Sequence, residues 1–308
     1  MSSVLIKTSG YLIIIALGYL LRSLSVFSKQ EAKLLGNLIV KVTLPAALIR
    51  NAASIVIGPE LPLLFCIGVM ASCITLYAGY ILAGRKREPR TSAFMLTVST
   101  FNLGAFLMPF VELFFPGTGV GYLCMFDTGN AIMGLGISYA LAKVASGPNE
   151  PLTFNRIAKT LLKSVPFMTY VVLFGLAACS IPIPQIVLDY AETIGSANAF
   201  LTMFMIGLMI DFHLPKKEVK EIMMVCITRF ALVIVMSVII WLIPGMSPLM
   251  KLIAILCLFS PVASAATPYS IECGYQGDLV GMVSTITMVL SVLSILVIVS
   301  FLQTMGLL

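Results

Sequence analysis

Apolar blocks of about twenty residues recur along this chain from end to end, and that length is set by a bilayer core about 30 Å thick. A helix rising about 1.5 Å per residue crosses that distance in about 20 residues. Spans are expected at 4–22, 32–51, 61–84, 91–114, 119–144, 157–180, 190–210, 222–243, 249–271 and 279–304. Only 10% of the 308 residues are charged, against about 25% in ordinary soluble domains. Mean hydropathy is +1.06, so water cannot be the main solvent. Because lipid offers backbone groups no hydrogen bonds, the blocks must be helices, and the expected fold is an all-α polytopic membrane protein of ten transmembrane helices.

The basic residues test that count. With ten alternating spans, fifteen of the nineteen Lys and Arg fall on one face: Arg22, Lys29 and Lys33; Arg85, Lys86, Arg87 and Arg90; Lys143, Arg156, Lys159 and Lys163; Lys216, Lys217, Lys220 and Arg229. The positive-inside rule makes that face cytoplasmic, with both termini extracytoplasmic, in a cell (inner or plasma) membrane. Lys7, Lys251 and Arg50 lie toward the outer face, whereas Lys41 is deep in the second block. Basic residues spread over short loops carry topology, which argues against nucleic acid as a partner. The segment from Val4 to Arg22 lacks a basic leader and a small-residue cleavage site, so a retained helix is expected. The seven cysteines fall almost entirely inside apolar blocks, away from His213, and are expected as buried free thiols rather than metal ligands.

The longest polar break, SGPNEPLTFNR at 146–156, divides the chain into residues 1–145 and 157–308. A shift of 159 residues places Gly36 on Gly195, and Asn102 to Pro109 on Pro261 to Pro268. A duplicated unit of five helices enters from the opposite face the second time, so the two halves are expected as inverted repeats, an arrangement found in transporters.

Two blocks oppose a continuous helix. The fourth reads TFNLGAFLMPF, with Asn102, Gly104 and Pro109, and the ninth reads FSPVASAATPYS, with Pro261, Ser264, Thr267 and Pro268. Proline removes a donor and clashes with the carbonyl four residues earlier, which frees backbone groups that lipid cannot satisfy. Half-helix ends can offer those groups to a solute, with an anion favoured at an N-terminal end. Asn102, Ser264 and Thr267 could add side-chain hydrogen bonds; alternatively the prolines and glycines are kinks packed by neighbours.

Asp127 lies inside the fifth block, where a carboxylate costs a few kcal/mol unless paired or protonated. With Thr128 and Asn130 it forms a polar face that could coordinate a cation, relay a proton or anchor the neighbouring broken helix. Lys41, in LIVKVTLPAAL, admits three readings: an ion pair with Asp127, a contact to a carboxylate substrate, or a misplaced span boundary. Glu272 and Asp278, flanking the ninth block, are expected to meet water.

In VTLPAAL, FNLGAFLMP, FMIGLMI and SPVASAATPYSIECGYQGD, in that order and over nearly the whole length, the chain resembles the auxin efflux carrier family, which includes plant auxin exporters and bacterial permeases proposed for malate or malonate. The resemblance implies an inverted five-plus-five fold whose fourth and ninth helices break and cross at Pro109 and Pro268. It places a substrate carboxylate near that crossing, with Asn102 as a contact, and implies that one half forms a scaffold and the other an elevator-like core. Two positions depart from the family pattern and bear on the substrate: Lys41 stands where a neutral polar residue is usual, and Glu272 with Cys273 interrupts a small-residue stretch. The wider superfamily includes sodium-coupled bile acid carriers.

Other classes fit less well. An intramembrane aspartyl protease would use a GxGD element, whereas Gly274, Gly277 and Asp278 stand in GYQGD, one residue too long. A channel would line a pore with a hydrophilic stripe, while polarity here concentrates at two breaks. The GxxxxGK[ST] phosphate loop is not in the sequence, which argues against ATP-driven pumping by this chain alone. The expected function is secondary transport of a small carboxylate, without a cofactor and not as an enzyme. Broken-helix ends and Asn102 hold the anion, and Asp127 and Asn130 serve H+ or Na+ coupling. A homodimer in the bilayer is an admissible assembly. The alternatives are a sodium-coupled carrier of the bile acid type and a scaffold or sensor that transports nothing.

Overall fold

The computed structural model describes residues 2–52, 61–147, 154–210 and 218–304, and every regular element among them is helical. His213, Lys216, Lys217 and most of the expected linker lie outside the described residues. After α1 (Ser2–Ser23), α2 (Lys29–Leu38) opens on a capping box in which the Ser28 N–H donates to Glu31 at 2.7 Å. A π-helical stretch, Ile39–Thr43, carries α2 into α3 (Leu44–Ala52), so Gln30–Asn51 is one apolar span. The next is α4 (Leu61–Leu82).

Then the helices fragment. Pro89 starts α5 (Pro89–Ser99), which stops at the extended residue Thr100. The chain resumes as a π-helical stretch, Leu103–Leu107, leading into α6 (Met108–Phe114), bent 45° from α5. The run of α7 (Thr118–Ala131), a π-helical stretch Ile132–Ser138 and α8 (Tyr139–Ala145) is unbroken. Between α9 (Phe154–Lys163) and α10 (Val165–Ala178) the axis turns by 81°. Pro166, in the first turn of α10, cannot donate to the preceding turn, and Ser164 caps the new helix at the Phe167 N–H. Ser196 separates α11 (Gln185–Gly195) from α12 (Ala197–Met209), and α13 (Val219–Leu242) and α14 (Pro248–Leu258) follow. After a second irregular stretch come the short α15 (Ala266–Glu272) and the long α16 (Leu279–Thr304).

The expected ten spans are not ten continuous rods. Among the described residues four helices are long and apolar enough to cross a bilayer, and six if each bent pair is one span. The shortfall is physical: 118–145 carries Asp127, Asn130 and five glycines, and the expected ninth span is cut short at Leu258. Lipid-facing surfaces are plain nonetheless. On α13, Met223, Ile227, Ile234, Val238 and Trp241 are exposed at helical spacing, while Ile222, Val225, Val233 and Ile240 are buried. An outward apolar stripe of this kind fits acyl chains, and the protein is a multi-pass membrane protein.

The helices pack in two groups. One joins α1, α2, α3, α10, α11 and α12; the other joins α4 to α8 with α13 to α16; α9 packs against both α10 and the π-helical stretch Ile132–Ser138. Each group draws on both halves of the sequence, which corrects the expectation that one half is scaffold and the other core. Close approach requires small residues: a Cβ on Gly129 would lie 2.5 Å from the Phe65 carbonyl oxygen of α4, and Gly18 and Gly207 bring α1 and α12 backbone to backbone. All seven cysteines are free, but three are exposed rather than buried: Cys66 and Cys73 on the outward face of α4, and Cys179 in the turn that ends α10.

Candidate functional site

The two irregular stretches meet. The Asn102 N–H donates to the Pro261 carbonyl at 2.9 Å, and the Ala263 N–H to the Thr100 hydroxyl at 3.3 Å. The breaks include Asn102, Pro261 and Ser264 as expected, but they do not fall at Pro109 and Pro268. Pro109 is the second residue of α6 and Pro268 the third of α15, positions where a missing N–H costs little; the chain is interrupted on their N-terminal sides, at 100–102 and 259–265. The π-helical stretch before α6 lets Pro109 continue the helix without meeting a regular ladder. The Pro109 carbonyl accepts from the Tyr11 hydroxyl at 3.1 Å.

Much of what the breaks free is satisfied within the protein, as burial demands. The Val262 N–H donates to the Thr287 hydroxyl at 3.2 Å, and the Asn130 amide donates to the Phe101 carbonyl at 3.1 Å. The Asn102 side chain, 7% exposed, makes no capping bond to the segment that follows it. Ser264, Thr267 and Pro268 are exposed, and among the described residues no hydrogen bond joins Ser264 or Thr267 to Asn102.

Asp127 is buried on α7 beside the start of the second half-helix. Its carboxylate accepts from the Tyr170 hydroxyl at 2.7 Å, from the Asn130 amide at 2.9 Å and from the Gly104 N–H. The N-terminal end of that half-helix therefore already faces an anion supplied by the protein. Gly104 leaves the room this needs: a Cβ there would sit 2.9 Å from Leu44 and 3.4 Å from both Asp127 Oδ2 and the Tyr170 hydroxyl. The Asn130 amide oxygen is buried without a hydrogen-bond partner among the described residues.

Lys41 is exposed on the π-helical stretch and does not pair with Asp127, since its side chain points out of the packed group. Glu112 of α6 instead meets Arg50 at 3.0 Å and the Asn51 amide at 2.6 Å, and Arg50 also reaches Glu192 at 3.5 Å. Glu272 and Asp278 are exposed as expected, although Glu272 also accepts from Tyr139.

Sequence reasoning missed Tyr170 and misplaced Arg229. Nothing marks Tyr170 in an apolar helix. Arg229 is counted with the basic residues of the cytoplasmic face although it falls within the expected span 222–243; it is 2% exposed and well inside α13. Its ten-residue distance from the start of α13, about 15 Å of rise, was the available signal.

Comparison with known proteins gives concordant results. A family model described as "Membrane transport protein" matches residues 6–301. A protein of Methanothermobacter thermautotrophicus named "Uncharacterized transporter" is 23% identical over 290 residues, covering 92% of this chain and 93% of that one.

Proposed function

The chain belongs to the membrane transport protein family, that of the auxin efflux carriers, and we propose that within it the chain is a secondary carrier of a small mono- or dicarboxylate. The observation that carries this reading is the contact between the two interrupted stretches, Asn102 N–H to Pro261 carbonyl, 159 residues apart. That is the spacing of the internal correspondence, so counterpart residues meet as they would beside a two-fold axis relating two inverted five-helix repeats. In this reading the substrate meets Asn102 and Gly104 at the first break, Asp127 of α7 beside it, and Ser264 and Thr267 at and just after the second.

In this mechanism Asn102 and the hydroxyls of Ser264 and Thr267 hold the carboxylate, while Asp127 competes for the same N-terminal end through Gly104. A proton on Asp127 weakens its hold on the Gly104 N–H, which then turns to the substrate, so anion and proton move together. Alternating access is elevator-like, one helix group sliding past the other, and the termini are extracytoplasmic in a cell membrane.

A second reading, sodium-coupled symport, is favoured by the unpartnered Asn130 oxygen beside Asp127, since two oxygens at a buried site suit a hard cation. Proteoliposomes screened with labelled mono- and dicarboxylates, under imposed pH and sodium gradients, test both. Saturable uptake of at least one carboxylate is expected, accelerated by the pH gradient; acceleration by sodium alone selects the second reading. No carboxylate uptake under any gradient overturns the carrier and leaves a scaffold or sensor.

A further inference from the structure

Arg229 holds both broken spans at once. Its Nη1 donates to the Thr97 carbonyl at 3.0 Å and the Val98 carbonyl at 2.8 Å, and its Nη2 to the Ser260 carbonyl at 3.0 Å. Thr97 and Val98 close the last turn of α5, where carbonyls lack helical partners, and Ser260 follows the end of α14. The guanidinium carbon lies 4.6 Å from the centre of the Phe101 ring, inside the first break. Among the described residues no carboxylate pairs with Arg229, and the buried acid, Asp127, sits on the other side of the same break.

The electrostatics of two broken helices that meet at their interruptions explain this placement. Each half-helix ending at the meeting point brings roughly half a negative charge, and each one starting there roughly half a positive charge. Left alone, the meeting point attracts cations at one side as well as anions at the other. One fixed positive charge bonded to the ends of both α5 and α14 cancels the negative side. Arg rather than Lys suits the task, because its planar fork reaches three carbonyls on two segments and keeps its proton in a buried site.

We propose that Arg229 is a specificity-determining residue, which makes the meeting point selective for anions by neutralising the C-terminal ends of both half-helices. The inference rests on the carrier reading above. Its test compares uptake of the carboxylate found in the proteoliposome screen with uptake of its neutral amide analogue, in wild type, Arg229→Gln and Arg229→Lys. Arg229→Gln is expected to raise KM for the carboxylate at least tenfold while KM for the amide stays within threefold, and Arg229→Lys, which keeps the charge, to retain the wild-type preference within threefold. A purely structural brace instead lowers Vmax for both solutes alike in both variants. Unchanged carboxylate preference in Arg229→Gln, or loss of preference in Arg229→Lys, overturns the proposal. If Arg229→Gln does not fold, as read by its melting temperature, the Arg229→Lys ratio decides. Wild-type protein that takes up no carboxylate overturns the carrier reading instead.

Discussion

Asp127 and Arg229 stand at opposite ends of one break, each bonded to the backbone groups that the interruption frees: the Gly104 N–H on one side, the Thr97 and Val98 carbonyls on the other. In the proposed carrier a solute would enter a site whose helix ends are already engaged, and it would have to share or displace Asp127 to reach the Gly104 N–H. Gly104 is the residue where this is tightest. Gly104→Ala adds a methyl group against Leu44, Asp127 and Tyr170, an overpacking worth about 1–3 kcal/mol. Carboxylate uptake is expected to fall by about tenfold or more, since about 1.4 kcal/mol is a factor of ten; uptake rates in matched vesicles check it. Asn102, Gly104 and Asp127 were legible because polar or flexible residues stand out in apolar helices. Lys41 drew the same attention without a buried role, because sequence gives depth but not the direction a side chain faces. Tyr170 was invisible because its ring is ordinary in lipid and only its hydroxyl matters.

At the scale of elements, prolines mark the broken helices while the interruptions fall before them. A proline is tolerated in a first turn, so it reports where a helix resumes. This is why breaks placed at Pro109 and Pro268 come several residues late, whereas Pro261 lies inside the second interruption. Outside the spans, the link between α15 and α16 is tied to the start of α13 by the Tyr275 hydroxyl, which donates to Glu218 at 3.3 Å. Burial, and then the neighbouring Glu218 charge, push the Tyr275 phenol up to about 12. A pKa raised on folding gives stability that is complete below the unfolded value of about 10 and is lost as pH rises toward 12. Amide exchange in this link, corrected for its intrinsic pH dependence, is expected to accelerate between those values. Tyr275→Phe should remove the step, and an identical profile in the variant would contradict the assignment.

At the scale of the molecule, polar ties among the described residues that join the two helix groups include Tyr170 to Asp127, Tyr11 to the Pro109 carbonyl, and Arg50 and Asn51 to Glu112. All four end on the segment from the first break to α6 or on the Asp127 that faces it, so any relative motion of the groups would act directly on the broken span. The membrane class was legible from block length alone. The grouping of helices was not, because lipid-facing and protein-facing surfaces are equally apolar and small residues only hint at close contact. The account stands on the meeting of the two interruptions as the place where a carboxylate binds. The most direct measurement is uptake of the carboxylate found by screening, in proteoliposomes carrying an Asn102→Ala, Pro268→Ala double variant that elutes and melts like the wild type. The account predicts that carboxylate flux falls to the level of empty vesicles; flux equal to wild type would contradict it.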